Sequence, residues 1–489
     1  MEFEPVIGLE IHAELSTRSK MFCACAVVDT TQANPNSSVC PICSGMPGVL
    51  PVVNKKAVEY ALRVAFALEC EIATVSIFAR KNYFYPDLPK GYQISQYEEP
   101  LAQDGQLWIR SSQGECLIRI RRVHIEEDTG KLVHVTHNGS SYSLVDLNRA
   151  GVPLLEIVTE PDLHSADEVR AFAMTLRSIL RYLGVNSGDM QKGVLRIEPN
   201  VSVRPVGSLD HGTRTEIKNL NSFRALERSV AYEIERQSSL MMQDEDVVQQ
   251  TLGWDETRQV TFPQRSKEEA HDYRYFPEPD LPPLVINQEW LEQIRAEIPE
   301  LPTERSKRFQ AQYRLNDYDA EVLTNEKAVA DFFEQVVSLA SDATPKQISN
   351  WISGELFNLL NQAGVEILDS LVEPESFAAL LKMVVSGEIN QNTAKKVLSE
   401  MFKTGSSPQQ IVEEKGFAQI SDMDTITRIV EQVLVEHTSE VEQYKDGNEN
   451  IANWLFGQIM RAAKGQANPK VIRKVLFEQL DTISQPEED

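Results

Sequence analysis

Along the first third of the chain, apolar and polar residues alternate in short runs. In Val6-Ile7-Gly8-Leu9-Glu10-Ile11-His12-Ala13-Glu14-Leu15, Glu10, His12 and Glu14 alternate with Leu9, Ile11, Ala13 and Leu15. Successive side chains of a strand point to opposite faces, so this run predicts a strand with one apolar face and one Glu/His face. Arg119-Ile120-Arg121-Arg122-Val123-His124-Ile125-Glu126-Glu127-Asp128-Thr129-Gly130-Lys131 repeats the theme. There His124, Glu126 and Asp128 fall on one face, and Val123, Ile125 and Glu127 on the other.

The same reading predicts strands over 4–15, 105–110, 116–125, 143–146 and 194–203, and helices over 54–68, 165–183 and 222–242. Ser165, with Glu168 three residues on, has the spacing of a helix N-cap. Beyond Trp290 the period is helical, over 302–313, 317–324, 326–340, 345–361, 374–386, 391–404 and a tail from 407. The expected class is α+β: a sheet domain over 1–290, a helical domain over 291–406 and a helical tail over 407–489. Pro277-Glu278-Pro279-Asp280-Leu281-Pro282-Pro283 stiffens the end of the first, and Gly405-Ser406-Ser407-Pro408 marks the hinge before the last. Strands do not alternate regularly with helices, which argues against a parallel nucleotide-binding sheet, and the chain has neither G-x-x-x-x-G-K-[ST] nor G-x-G-x-x-G, so ATP would bind through a sheet-and-carboxylate site rather than a P-loop.

Carboxylates gathered on one strand face disfavour one another's ionisation unless a cation neutralises them. Two Glu/His faces therefore point to a hard-cation site, and oxygen ligands suit Mg²⁺, the usual partner of nucleotide phosphates. Either strand alone also fits the solvated face of an antiparallel sheet.

With 489 residues, 42% hydrophobic and 25% charged, the chain has the composition of a multi-domain globular protein. It has no run long and apolar enough to span a bilayer and no secretory leader, so a cytoplasmic protein without a membrane partner is expected. The net charge of −25 opposes nucleic-acid binding, but between Asn453 and Gln479 the chain carries Arg461, Lys464, Lys470, Arg473 and Lys474 against Glu478 alone. That basic stretch fits an RNA contact or a solvated helix face. Cys23-Ala24-Cys25 and Cys40-Pro41-Ile42-Cys43 place four thiols in two close pairs, the spacing of a tetrahedral structural Zn²⁺ site. Unliganded thiols are the other reading.

Longer motifs carry a resemblance. They include Lys81-Asn82-Tyr83-Phe84-Tyr85-Pro86-Asp87, Gly91-Tyr92-Gln93-Ile94-Ser95-Gln96, Leu144-Val145-Asp146-Leu147-Asn148-Arg149-Ala150-Gly151-Val152-Pro153 and Glu216-Ile217-Lys218-Asn219-Leu220-Asn221. Asp272-Tyr273-Arg274-Tyr275-Phe276-Pro277-Glu278 and Lys464-Gly465-Gln466-Ala467-Asn468-Pro469 follow. With the two Glu/His segments, they make the chain resemble, almost end to end, the GatB family of tRNA-dependent amidotransferase B subunits. The resemblance implies a glutamine-synthetase-like antiparallel cradle, then a helical domain and a YqeY-like tail that touches tRNA. It implies a ligase that uses ATP and Mg²⁺ to phosphorylate the Glu or Asp side chain on Glu-tRNA(Gln) or Asp-tRNA(Asn). Ammonia from an amidase A subunit then displaces the phosphate, and a small C subunit holds the heterotrimer together.

On this chain the resemblance implies His12, Glu127 and Glu156 as Mg²⁺ ligands, with Glu10, Glu126 and Asp128 close by. Lys81 would contact phosphate, and Arg149 phosphate or substrate. Lys464, Lys470, Arg473 and Lys474 would meet tRNA. Glu127 stands on the wrong face for this role, so a bulge or a strand end at the Glu126–Glu127 step is required. Lys192 and Ile197-Glu198 stand where relatives usually carry Glu and Cys-Asp, which removes any acidic role at 192 while Glu198 keeps a carboxylate. Two other classes fit less well. A non-catalytic RNA scaffold would not need Glu10, His12, Glu127 and Glu156, and a free-standing carboxylate–ammonia ligase would not need the basic tail. The Ser-Ser-Lys signature of a glutaminase is absent, so the chain alone is expected not to hydrolyse glutamine.

Overall fold

A computed structural model describes residues 2–265, 273–417, 423–448, 450–463, 467 and 469–484. The chain divides into two compact units, Met1–Pro302 and Thr303–Asp489.

The strands of the first unit are β1 (Phe3–Glu14), β2 (Glu71–Ile72), β3 (Val75–Ser76), β4 (Ala79–Asn82), β5 (Tyr92–Ser95), β6 (Ala102–Ser111), β7 (Gly114–Glu127) and β8 (Lys131–His137). They continue as β9 (Ser140–Asp146), β10 (Pro153–Thr159), β11 (Leu195–Pro205), β12 (Thr215–Lys218), β13 (Thr251–Asp255), β14 (Val260–Arg265), β15 (Phe276–Pro277) and β16 (Leu284–Val285). Its helices are α1 (Lys55–Ala67), α2 (Ala166–Tyr182), α3 (Phe223–Met242) and α4 (Gln288–Ala296). Nine strands form one sheet in the order β14-β13-β12-β11-β1-β10-β7-β6-β2. Its pairs are antiparallel except β12 with β13.

The alternation read from the sequence sorts this sheet into two faces. Ile7, Leu9, Ile11, Ala13, Val123, Ile125, Leu155, Ile157, Ile197 and Val201 are buried in one core with the apolar sides of α1, α2 and α3. Each fully buried Leu, Ile or Phe there contributes about 1.5–3 kcal/mol over leaving it in water. Ser165 caps α2 as its spacing predicts, accepting from Glu168 N. Glu168 reaches back one residue further than in a standard capping box, accepting from His164 N at 2.6 Å.

A second sheet, β15-β4-β5, lies along the edge of β7. β7 pairs with β6 only as far as Val123. Beyond that point Ile125 N donates to Gln96 Oε1 at 3.0 Å, and Gln93 Nε2 donates to Glu127 O at 2.6 Å, so side chains satisfy the edge. Arg80 pins Glu278 bidentately at 2.7 and 2.8 Å, fixing the Pro-rich segment to β4.

The first unit extends past the expected limit at 290. α4 crosses that position, and its Ile294 packs with Trp290 and Leu291 against the core under α1. Among the strands missed from sequence, β4, β5 and β12 have too few residues to display a period, and β10, buried on both faces, does not alternate.

The second unit is helical: α5 (Pro302–Tyr313), α6 (Asp317–Thr324), α7 (Lys327–Leu339), α8 (Pro345–Asn350), α9 (Phe357–Ala363), α10 (Pro374–Ser386), α11 (Gln391–Thr404), α12 (Pro408–Lys415), α13 (Met423–Glu436), α14 (Thr438–Lys445), α15 (Asn450–Ala462) and α16 (Pro469–Ser484). The helix expected over 345–361 is one rod in which a π-helical stretch, Trp351–Leu356, joins α8 to α9. Its described residues form two cores, one running from Phe309 to Val412 and one from Ile426 to Leu480. α12 therefore belongs to the middle core through Ile411 and Val412, so the Gly405–Pro408 turn joins helices of one core rather than separating two. No helix among the described residues is long and apolar enough to cross a membrane.

Candidate functional site

The polar face of the large sheet carries the chemistry. Register aligns Arg196, His12, Glu156 and His124 across β11, β1, β10 and β7, with Glu14, Leu154 and Glu126 in the next row. Directly paired residues share a face, so these side chains converge. Glu156 Oε2 lies 3.5 Å from His12 Nε2 and 3.2 Å from His124 Nε2. Glu126 stands 4.0 and 3.9 Å from the same two nitrogens and accepts from Ser95 Oγ at 2.9 Å. His124, Glu126 and Glu156 are buried. Burial would keep Glu156 protonated, but His124 and His12 beside it hold its carboxyl well below the usual range. Burial would likewise depress the His12 imidazole, and Glu156 raises it instead.

His12, Glu126 and Glu156 each offer a ligand atom within 4.8 Å of the others. Buried Nδ1 atoms of His12 and His124 have no hydrogen-bond partner among the described residues. One imidazole and two carboxylates form a donor set that suits a hard divalent cation.

Glu127 does not join this set. The register between β7 and β10 runs unbroken through Glu126 and Glu127, and its one irregularity lies at Val158/Thr159. The strand ends at Glu127 without a bulge, so alternation leaves that side chain on the other face. There it pairs with Lys90 and accepts from Ile94 N at 2.9 Å.

Glu10 belongs to a second acidic group. Its ligand atom lies within 4.8 Å of those of Glu198 and Glu216, drawn from β11 and β12. Lys218 bridges Glu198 and Glu216, at 3.2 Å from the latter, and Asn200 Nδ2 donates to Glu10 at 3.1 Å. Burial opposes ionisation of Glu198, but the Lys218 ammonium beside it outweighs that and holds the carboxyl below its ordinary range. Glu198 thus stands with Glu10 on the face that carries the site.

Lys81 sits on β4, its ammonium 5.0 Å from the Tyr273 ring centroid and 6.0 Å from that of Tyr83. Burial would lower it, but the Glu126 carboxylate holds it well above the ordinary range. Tyr275 and Tyr97 stack at 4.2 Å beside it. Arg149 reaches around the end of β7, donating to Thr129 O at 3.0 Å and Gly130 O at 2.7 Å, with Asp128 at 3.6 Å. Arg196 bonds the same Asp128 at 2.9 Å. These two guanidiniums keep Asp128 low against burial, whereas burial and Asp128 push Glu14 up to about 8.

The sulfurs of Cys23, Cys25, Cys40 and Cys43 lie within 4.8 Å of one another. Four sulfur donors in that space fit Zn²⁺. A hydrogen bond from the Cys23 thiol drops Cys43 to about 4, and burial lifts Cys25 to about 11. Of the basic tail, Lys464 lies outside the described residues. Lys470, Arg473 and Lys474 are exposed on α16, opposite the buried Ile472, Val475 and Leu476. Arg473 lies over the Phe456 ring at 5.0 Å.

The site residues taken from the resemblance leave out His124, although alternation had put it on the Glu126 face. It also missed Arg196, Lys218 and Glu216, whose strands carried no legible register.

Residues 5–292 match the GatB/GatE catalytic domain, and residues 331–480 match the GatB domain. The chain is 52% identical over 480 residues to the B subunit of the aspartyl/glutamyl-tRNA(Asn/Gln) amidotransferase of Persephonella marina, covering 98% of this chain and 100% of that relative. It is 50% identical over 479 residues to the protein of that name from Thermodesulfovibrio yellowstonii, covering 98% and 99%. With that of Moorella thermoacetica it shares 52% over 480 residues, covering 98% and 100%. The carboxylate-bearing sheet lies inside one matched domain and most of the helical unit inside the other, and likeness runs nearly end to end: the chain belongs to the GatB family.

Proposed function

We propose that this chain is the B subunit of a tRNA-dependent amidotransferase, and that it activates the side-chain carboxylate of Glu or Asp carried on tRNA(Gln) or tRNA(Asn). The observation that carries the reading is the convergence of His12, Glu126 and Glu156 beside Glu10, Glu198 and Glu216 on one sheet face. A carboxylate resists attack by ammonia because its leaving group would be oxide. In the proposed reaction a carboxylate oxygen bonds to the γ-phosphorus of ATP and ADP leaves. Ammonia then bonds to the carbonyl carbon, loses a proton, and phosphate departs with the C–O bond.

Such transfer depends on placing the reactants and neutralising charge. His12, Glu126 and Glu156 would hold Mg²⁺, and Glu10, Glu198 and Glu216 face the same space. Magnesium, when bound, offsets the phosphate charge that would otherwise repel these carboxylates. Lys81 and Arg149 would bind phosphate or substrate oxygens. Cys23, Cys25, Cys40 and Cys43 would hold a structural Zn²⁺. The exposed face of α16 would meet the tRNA backbone. An amidase A subunit would supply ammonia, and a small C subunit would complete a cytoplasmic heterotrimer.

The test is Mg²⁺-dependent ATP cleavage by the assembled complex, with and without Glu-tRNA(Gln). Cleavage that needs the charged tRNA and is lost in Glu156→Gln supports the reading. Cleavage unchanged in that variant leaves this chain a tRNA-presenting scaffold.

A further inference from the structure

Lys20 has none of its surface exposed. It lies between the four-cysteine knuckle and the loop that carries Arg149. Its ammonium donates to Ser38 O at 2.8 Å, to Leu147 O at 3.2 Å and to Cys43 Sγ at 3.6 Å. An ammonium has three donors, so these acceptors use it completely. A buried cation also needs a counter-charge, and two of the three acceptors are neutral carbonyls. The sulfur is the acceptor that can supply it.

The knuckle grips the same loop at further points. Met21 N donates to Gly151 O at 2.7 Å, and Ser38 N to Asn148 Oδ1 at 2.9 Å. Asn148 Nδ2 donates to Asn34 O at 2.8 Å, and Leu147 N to Asn36 Oδ1 at 2.7 Å. Gly151, at φ +84°, lies so close that a Cβ there would stand 3.4 Å from Cys43 Cβ and 3.6 Å from Lys20 Cδ. Every one of these bonds joins the cysteine-bearing segment to the stretch from which Arg149 reaches Thr129 and Gly130.

We propose that Lys20 is a positioning residue that links metal occupancy of the four-cysteine site to the order of the 145–151 loop, and so to the placement of Arg149. This rests on reading the four cysteines as a zinc site. With four thiolates around one Zn²⁺ the cluster carries two net negative charges, and Lys20 offsets one of them beside Cys43. A metal that fixes Cys43 fixes the anchor of Lys20 and with it the Leu147 carbonyl. By linkage, whatever order the metal lends the loop, the loop returns as metal affinity.

The test uses the full-length chain, its zinc content, zinc affinity by competition with a chromophoric chelator, and amide exchange. Lys20→Met, an apolar near-isostere, should weaken zinc binding by about tenfold or more, the usual effect of removing a partner that holds a ligand. It should also speed exchange over 145–151 while the amides of α2 stay protected. Chelation of the wild-type chain should speed exchange over the same loop, an arm that stands even where the variant does not fold. A chain that carries no zinc and takes up neither zinc nor cobalt overturns the zinc reading and the proposal with it. Zinc bound equally well in Lys20→Met, or a loop that stays protected on chelation, overturns the linkage alone.

Discussion

Glu126 and Glu127 are joined by one peptide bond and serve opposite faces of the sheet. Glu126 stands with His12 and Glu156, while Glu127 is held by Lys90 and the Ile94 amide. Glu126→Gln should therefore raise the Mg²⁺ concentration needed for half-maximal ATP cleavage by about tenfold or more, as loss of a metal ligand or its holder does. Glu127→Gln should leave that concentration within about threefold of wild type, well short of such an effect. A magnesium titration of both variants checks this, and the reverse order would return Glu127 to the metal.

Gly130 tests the turn that follows these carboxylates. A Cβ there would stand 2.9 Å from Asp146 O and 3.0 Å from Asp87 O, both backbone atoms that cannot swing away. Gly130→Ala should cost about 1–3 kcal/mol, the usual penalty of overpacking. Denaturant unfolding followed by circular dichroism measures it. The same variant should lower activity, because Gly130 O is an anchor of Arg149.

In the helical unit, Glu334 receives Arg308 Nη1 at 2.6 Å and pairs with Arg305. Burial favours its neutral form, yet Arg308 and Arg305 bring it down to about 2 from 4.5. A carboxyl depressed in the folded state adds stability above its unfolded value and loses it as pH falls toward the folded one. The melting-temperature gap between wild type and Glu334→Gln should thus be full above about pH 5 and close by about pH 2. Thermal scans across that window check it, and a gap independent of pH would refute the pairing.

The α16 face should act through charge alone. Replacing Lys470, Arg473 and Lys474 together by Ala should weaken tRNA binding without changing which tRNA is preferred. It should also flatten the slope of log affinity against log salt by about 0.7–0.9 for each phosphate no longer neutralised. Filter binding at several salt concentrations measures the slope.

Which side chains shared a face was legible in the sequence wherever one face was buried. Leu9, Ile11 and Ala13 betray the core side of β1, and so fix Glu10, His12 and Glu14 to the other. What the sequence hides is register. His12 meets Glu156, and Glu10 meets Glu198, only because β1 pairs with both β10 and β11, and no local pattern announces those partners. Family resemblance named Glu127 as a ligand, and simple alternation had already opposed it. The four cysteines were readable from spacing, but Lys20 was not, because a lysine beside Met21 and Phe22 gives no sign that its whole length is buried.

The position of β1 sets the order in which this site comes into being. It is made before both of its neighbours, which end at Thr159 and Pro205. As the chain leaves the ribosome, Glu10 and His12 wait on an unpaired strand while their eventual partners are still untranslated. Their separation in sequence makes closure slow and leaves an apolar edge uncovered meanwhile. Until β11 emerges, that edge is open to any other strand able to pair with it.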